Sequence, residues 1–283
     1  MTAEPIQATQ PADPLRAAIA AGPRIIDLAQ PLFTGMPGSP NHPAFQMALQ
    51  RRHGDLVRPD GGSAANEIIV TGGHVGTHID ALAHVSHDGL LHGGADAREA
   101  VVGGRFAVHG VETVEPLIRP GTLLDVARLR GTGCLPPGHG VGAEELDAAA
   151  RAAGVRPVRG GVCLVRTGWS TLWPDAQRYL GRESGVPGVT EDGARWLAGF
   201  GPAAVGADTT AFERIAPGAG HAVLPGHRVL LVEHGIHIIE HLRLEELAET
   251  GVAEFTAVVV PLKIVGATGS PVRPLALLPA PDR

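Results

Sequence analysis

Residues 74 to 84 read His-Val-Gly-Thr-His-Ile-Asp-Ala-Leu-Ala-His, three histidines and one aspartate in a single short stretch. A fold that accepts this stretch must either leave these groups in water or converge them on something that satisfies them. The chain holds 14 histidines against one tyrosine, and five of the histidines fall between His74 and His92. Clustered histidine signals ligation or proton transfer before it signals packing. Gly73 and Gly76 let the backbone turn sharply around the first two histidines. His78 and Asp80 lie two apart, so an extended backbone points both to one side. Asp80 and His84 lie four apart, which a helix starting near Asp80 would stack on one face. A glycine turn, a strand and a helix start would therefore converge all four side chains. Thr77 is expected to hydrogen-bond locally and fix the rotamer of a neighbour. Imidazole nitrogen and carboxylate oxygen suit a divalent ion such as zinc and tolerate manganese.

Such a site needs closure from elsewhere in the chain. His227 and Glu240 are the candidates. Glu240 ends the apolar run Ile236-His237-Ile238-Ile239, where an unpaired carboxylate is costly. A metal would satisfy it, and so would an ion pair with Arg243 or Arg228. His221, His234 and His237 compete for the ligand role, while His87, His92 and His109 are expected outside it.

The rest of the chain reads as one α/β domain. Asp13 and Pro14 open a helix that Gly22 follows, after a disordered lead-in over residues 1–12. Strands are expected at 24–29, 67–70, 162–166, 203–207, 236–240 and 254–260. Helices are expected at 143–153, from the cap Thr190 to about Phe200, and at 244–249. Periodicity leaves 228–233 open between helix and strand. The tail after 260 reads as Gly/Pro-rich loop. Strands and helices alternate over 13–283 without a composition break, a linker or a repeat. Four prolines and two glycines make 31–43 a loop placed where a substrate lid could sit. A net charge of −6 argues against nucleic acid. No long apolar run predicts a membrane span, and residues 1–11 lack the features of a secretory signal, so a cytoplasmic protein with two free thiols, Cys134 and Cys163, is expected.

The pattern His74-x-Gly76-Thr77-His78-x-Asp80-x-x-x-His84 resembles the signature of the cyclase/kynurenine formamidase family, which also contains isatin hydrolases. The resemblance extends in order through Ile26-Asp-Leu-Ala-Gln-Pro-Leu32, Val165-Arg-Thr-Gly-Trp169, Gly206-Ala-Asp208, His227 to Glu240, and Gly266 to Arg273. It implies a swivelling β/β/α fold with a mixed central sheet, assembled as a homodimer or homotetramer. It implies His74, His78, Asp80, His227 and Glu240 as ligands of one or two Zn2+ or Mn2+ ions, with His84 as acid/base. Bacterial kynurenine formamidases usually carry proline where this chain has Leu82, and their second His-to-Glu spacing is one residue shorter. Both departures point away from their substrate and leave the metal untouched.

The expected chemistry is hydrolysis of an amide, lactam or ester of a small aromatic substrate by metal-bound hydroxide. Phe33 and Trp169 would form flat pocket walls, Asp208 would also bind substrate, and Arg273 would pair with a substrate carboxylate. A cyclase/dehydratase on the same metal, or a non-catalytic metal or ligand binder, are the alternatives. A serine hydrolase finds no support, because Gly-x-Ser-x-Gly occurs nowhere.

Overall fold

The structure, a computed structural model, describes residues 13–280. The expected lead-in over 1–12 lies outside them. A nine-stranded mixed sheet organises the molecule. Its middle is parallel: Leu117–Asp125, Val162–Arg166, Ala204–Ala207 and His237–Glu240 run side by side. Antiparallel strands flank this core. His78–Asp80 and then Gly269–Pro271 extend one side. Glu254–Val259, Leu275–Leu278 and Arg24–Asp27 extend the other.

The parallel strands are apolar at consecutive positions because both faces of the sheet are covered. Leu123, Leu164 and Ile239 point into a core with Ile79 and Phe255. Their neighbours Leu124, Val165 and Ile238 point the opposite way, against Leu146 and Leu197. Those two leucines come from the helices Ala143–Ala153 and Glu191–Gly199. Gly154 closes the first of these in the left-handed conformation, as its position after the alanine run predicts.

Most elements fall where the periodicity puts them, and the differences have physical causes. The longest strand, Leu117–Asp125, was hidden by Pro120-Gly121. Pro120 lies in the half of the strand that pairs only with Glu254–Val259, and pairing with Val162–Arg166 starts at Gly121. The missing N–H therefore costs no ladder bond on the open side. Gly121 leaves room for the Phe255 ring, which a Cβ would meet at 2.3 Å. The tail expected as loop contributes the strands Gly269–Pro271 and Leu275–Leu278. Only three residues separate them, yet they sit near opposite ends of the sheet order. The sheet must curl until its two sides nearly meet. Residues 228–233 form a π-helical turn. The strand Asn66–Val70 lies outside the main sheet, in an exposed ribbon with Gln46–Arg51. Cys134 and Cys163 are free thiols. No helix among the described residues is long and apolar enough to cross a membrane.

One turn behind the sheet has no room to spare. Gly168 sits at φ +79, and a Cβ there would lie 2.0 Å from the Gly133 carbonyl oxygen. Replacing Gly168 with alanine should destabilise the fold by about 2 kcal/mol or more. Urea unfolding that leaves the variant as stable as the parent would contradict this packing.

Candidate active site

Sheet pairing builds the centre of the site. His78 and Asp80 share one face of a short strand while Ile79 enters the core behind it. The antiparallel neighbour places Glu240 directly opposite His78, and directly paired residues project to the same face. His227 arrives from the helical turn Pro225–His227. Its Nε2 lies 3.5 Å from Asp80 Oδ2 and 3.3 Å from Glu240 Oε1. His78 Nδ1 donates to the Gly76 carbonyl at 2.7 Å. Its Nε2 then faces Asp80 Oδ1 and Glu240 Oε2, each at 3.5 Å.

His74 precedes the strand, and its Nδ1 meets Asp80 Oδ1 at 2.7 Å. Gly76 makes this approach possible. It adopts φ +66, and a Cβ would lie 2.2 Å from Leu32 Cδ2. Beyond Asp80 the expected helix does not form. The His84 amide closes a tight turn onto the Ala81 carbonyl at 2.9 Å. His84 therefore reaches the site by a turn and not along a helix face. Its ring stacks on His74 with centroids 3.8 Å apart. Thr77 also differs from expectation. Its hydroxyl donates to the His241 carbonyl at 2.7 Å and accepts from the Gln30 amide at 2.8 Å. It ties together three distant segments, a task that the curled sheet creates.

Two buried carboxylate oxygens, Asp80 Oδ2 and Glu240 Oε1, receive no hydrogen bond among the described residues. They face imidazole nitrogens at distances too long for a good hydrogen bond. An anionic oxygen shut away from water without a donor is costly. Donor atoms of His74, His78 and Asp80 lie within 4.8 Å of one another, as do those of Asp80, His84 and His227. The oxygen and nitrogen donors, their burial and the two orphaned oxygens fit a divalent cation.

Burial dominates the protonation of the ring of histidines. It pushes His78 down to about 4 and His84 to about 3, and holds His241 well below its ordinary 6.5. Burial would lower His227 too, but Glu213, Asp80 and Glu240 outweigh it and hold that imidazole well above 6.5. Burial lifts the Glu240 carboxyl to about 7 against the pull of His227. Burial opposes the charge on Asp80, yet His84, His74 and His227 keep its carboxyl well below the usual carboxylate range.

All six chemistry-bearing residues, His74, His78, Asp80, His84, His227 and Glu240, are thus brought together. All but Asp80, which lies beneath them, line a cavity of about 230 Å³. The residues expected around a substrate are not brought to its wall. Trp169 is buried, and its indole N–H donates to the Tyr179 carbonyl. Asp208 is buried and accepts from the Thr167 amide and hydroxyl and from the Gly168 amide, so its carboxylate is occupied in holding that turn. Arg273 pairs with Asp27 on another face. Phe33 is exposed in the 31–43 loop, which instead lends Ser39, Asn41 and His42 to the cavity.

Sequence reasoning missed His241 and Glu213. His241 lines the cavity beside Glu240 and meets the hydroxyl of the chain's one tyrosine, Tyr179, at 2.9 Å. Its adjacency to Glu240 was the available signal. Glu213 accepts from the His227 amide and meets its Nδ1, both at 2.9 Å, which aims Nε2 into the cavity. Nothing in the local sequence announces that role.

The cyclase family model matches residues 26–214. Curated relatives similar to the chain include a rice protein and a bacterial enzyme. Cyclase-like protein 2 of Oryza sativa subsp. japonica is 29% identical over 202 residues, 71% of this chain and 60% of the rice protein. Kynurenine formamidase of Bacillus cereus is 24% identical over 251 residues, 88% of this chain and 94% of that enzyme. The chain thus spans less than two thirds of the rice relative. A solved structure described as a novel cyclase superposes with TM-score 0.80 at 28% identity, covering 93% of each chain. Isatin hydrolase A from Ralstonia solanacearum superposes with TM-score 0.71 at 25% identity, covering 96% of this chain and all of the other.

The protonation pattern fixes the sign of a pH dependence. In the unfolded chain the histidines take up protons near 6.5, whereas folded His78 does so only near 4 and His84 near 3. His42, His221, His237 and His241 are also lowered, while only His227 and Glu240 oppose them in this cluster. The stability these depressed histidines contribute is present above pH 6.5 and lost as pH falls towards 4. The Tm of metal-free protein should therefore drop steadily between pH 6.5 and 4. A flat profile across that window would contradict the burial of these imidazoles in neutral form.

Proposed function

The chain belongs to the cyclase family, and on that premise we propose that it is a metal-dependent hydrolase cleaving an amide, lactam or ester of a small substrate. The observation that carries this reading is the pair of buried, unpartnered oxygens on Asp80 and Glu240, both facing Nε2 of His227, beside His78 Nε2 on the same two carboxylates. In this reading His74, His78, Asp80, His227 and Glu240 hold one or two divalent cations, zinc or manganese. A cation held there would supply Lewis acidity and lower the pKa of water towards about 7. Relatives named kynurenine formamidase and isatin hydrolase support a carbon–nitrogen bond as the one cleaved.

The remaining work falls to the chain's own side chains. His84 is the acid/base. Its burial keeps the imidazole neutral at pH 7, the form from which it would accept a proton as charge develops on the attacking water. Its ring forms no hydrogen bond among the described residues and is held by stacking on His74, so both nitrogens remain free for transfer to the leaving group. Glu213 fixes the tautomer of His227 by meeting Nδ1. The wall supplied by Ser39, Asn41 and His42 shields the reacting carbonyl from bulk water. Assembly as a homodimer or homotetramer in the cytoplasm belongs to the same proposal. The exposed ribbon bearing Met47, Leu49, Ile68 and Ile69 supports association.

Elemental analysis of untagged protein tests the metal directly. Wild type should carry zinc or manganese and Asp80→Ala should lose it; no metal after loading with either ion would sink the reading. His84→Ala should keep the metal and lose about 10²- to 10⁴-fold in rate. Loss of metal in that variant would instead make His84 a ligand. Glu213→Gln should weaken metal affinity by about tenfold to a hundredfold. Product mass separates hydrolysis, which adds water, from a cyclisation that expels it.

A further inference from the structure

Next to the histidine cavity lies a second one of about 320 Å³, between the 39–41 segment and the loop 218–221. The two share Ser39, Asn41, Thr210 and His221, so the second forms a vestibule to the first. Two of its side chains have no partner among the described residues. Thr210 is almost wholly buried, and its hydroxyl makes no hydrogen bond among the described residues. It stands at the junction of the cavities. A buried hydroxyl without a partner is costly unless a ligand or water meets it.

Arg182 lines the vestibule and pairs with no acid among the described residues. Its side chain is exposed at the mouth of this space, whereas Arg166 and Arg228 are held by carboxylates. No aspartate or glutamate lines the vestibule. The acidic groups lie deeper, in the cavity where the metal is proposed. A ligand spanning both spaces therefore meets a cation-binding end and an anion-binding end.

We infer that the vestibule receives a carboxylate carried on the substrate at the end remote from the scissile bond. Arg182 pairs with this carboxylate, and Thr210 donates to the substrate where the two cavities join. Because Arg273 pairs with Asp27 on another face, Arg182 takes the role that the sequence suggested for Arg273. The inference rests on the hydrolase reading for the word substrate, but the anion site can be tested without turnover.

The probes are α,ω-dicarboxylates from succinate to pimelate and their monomethyl esters, titrated calorimetrically into zinc-loaded protein. One carboxylate occupies the histidine cavity in both series, and only the diacid offers a second to Arg182. Wild type should bind the best-fitting diacid about fivefold more tightly than its monoester, a preference that shrinks as salt rises. Arg182→Ala should abolish the preference, and Arg182→Lys should keep part of it. Thr210→Val should weaken diacid and monoester alike by about threefold to tenfold, with Thr210→Ser restoring both. Equal affinities in wild type, a preference that survives Arg182→Ala, or no binding across the series would overturn the inference. Amide turnover, measured on the same preparations, answers separately. Diacid preference without hydrolysis sinks the hydrolase reading and leaves the anion site standing.

Discussion

Asp80 is a carboxylate sealed from water and kept ionised by three imidazoles around it. The geometry of the site depends on that choice. Its Oδ1 takes His74 and faces His78, and its Oδ2 faces His227. A charge in such a place is tolerable only when opposite charge is close. The backbone supplies the position through an antiparallel pairing, because the His237–Glu240 strand lays Glu240 opposite His78. Two acids and the imidazole of His78 then share one face, while Ile79 anchors the other face in the core.

The curl of the sheet makes this arrangement rigid. The strand carrying His78 and Asp80 has only three residues and would be a weak element alone. It is held between His237–Glu240 and Gly269–Pro271. The chain then returns within three residues to the far side of the sheet. Thr77, bonded to both Gln30 and His241, closes the gap between the two sides. His227 gains its orientation from Glu213 in the same way.

Burial sets the protonation states, and they sort the histidines by task. Burial holds His78, His84 and His241 neutral. His227, enclosed by three carboxylates, is held charged until something replaces its proton. Glu240, lifted to about 7, titrates within the physiological range. These groups would release protons as a cation enters, so occupancy of the site and pH are coupled.

Much of this was legible in the chain itself. The density of histidine and acid between His74 and His84, the period-two spacing of His78 and Asp80, and an acid ending an apolar strand at Glu240 are local patterns, and local chemistry dictates where such groups can go. The apolar strands and the glycine-closed helix 143–153 were readable for the same reason. The strand Leu117–Asp125 was not, because proline looks prohibitive until its open flank is known. Nor was the path of His84, since spacing cannot distinguish a helical step from a tight turn. That Asp208 and Arg273 are spent on neighbours, and that Glu213 stands behind His227, was settled by the tertiary structure alone. Whether a polar side chain faces a cavity or is spent on a neighbour depends on which distant segments close around it, and that follows from the curl of the sheet.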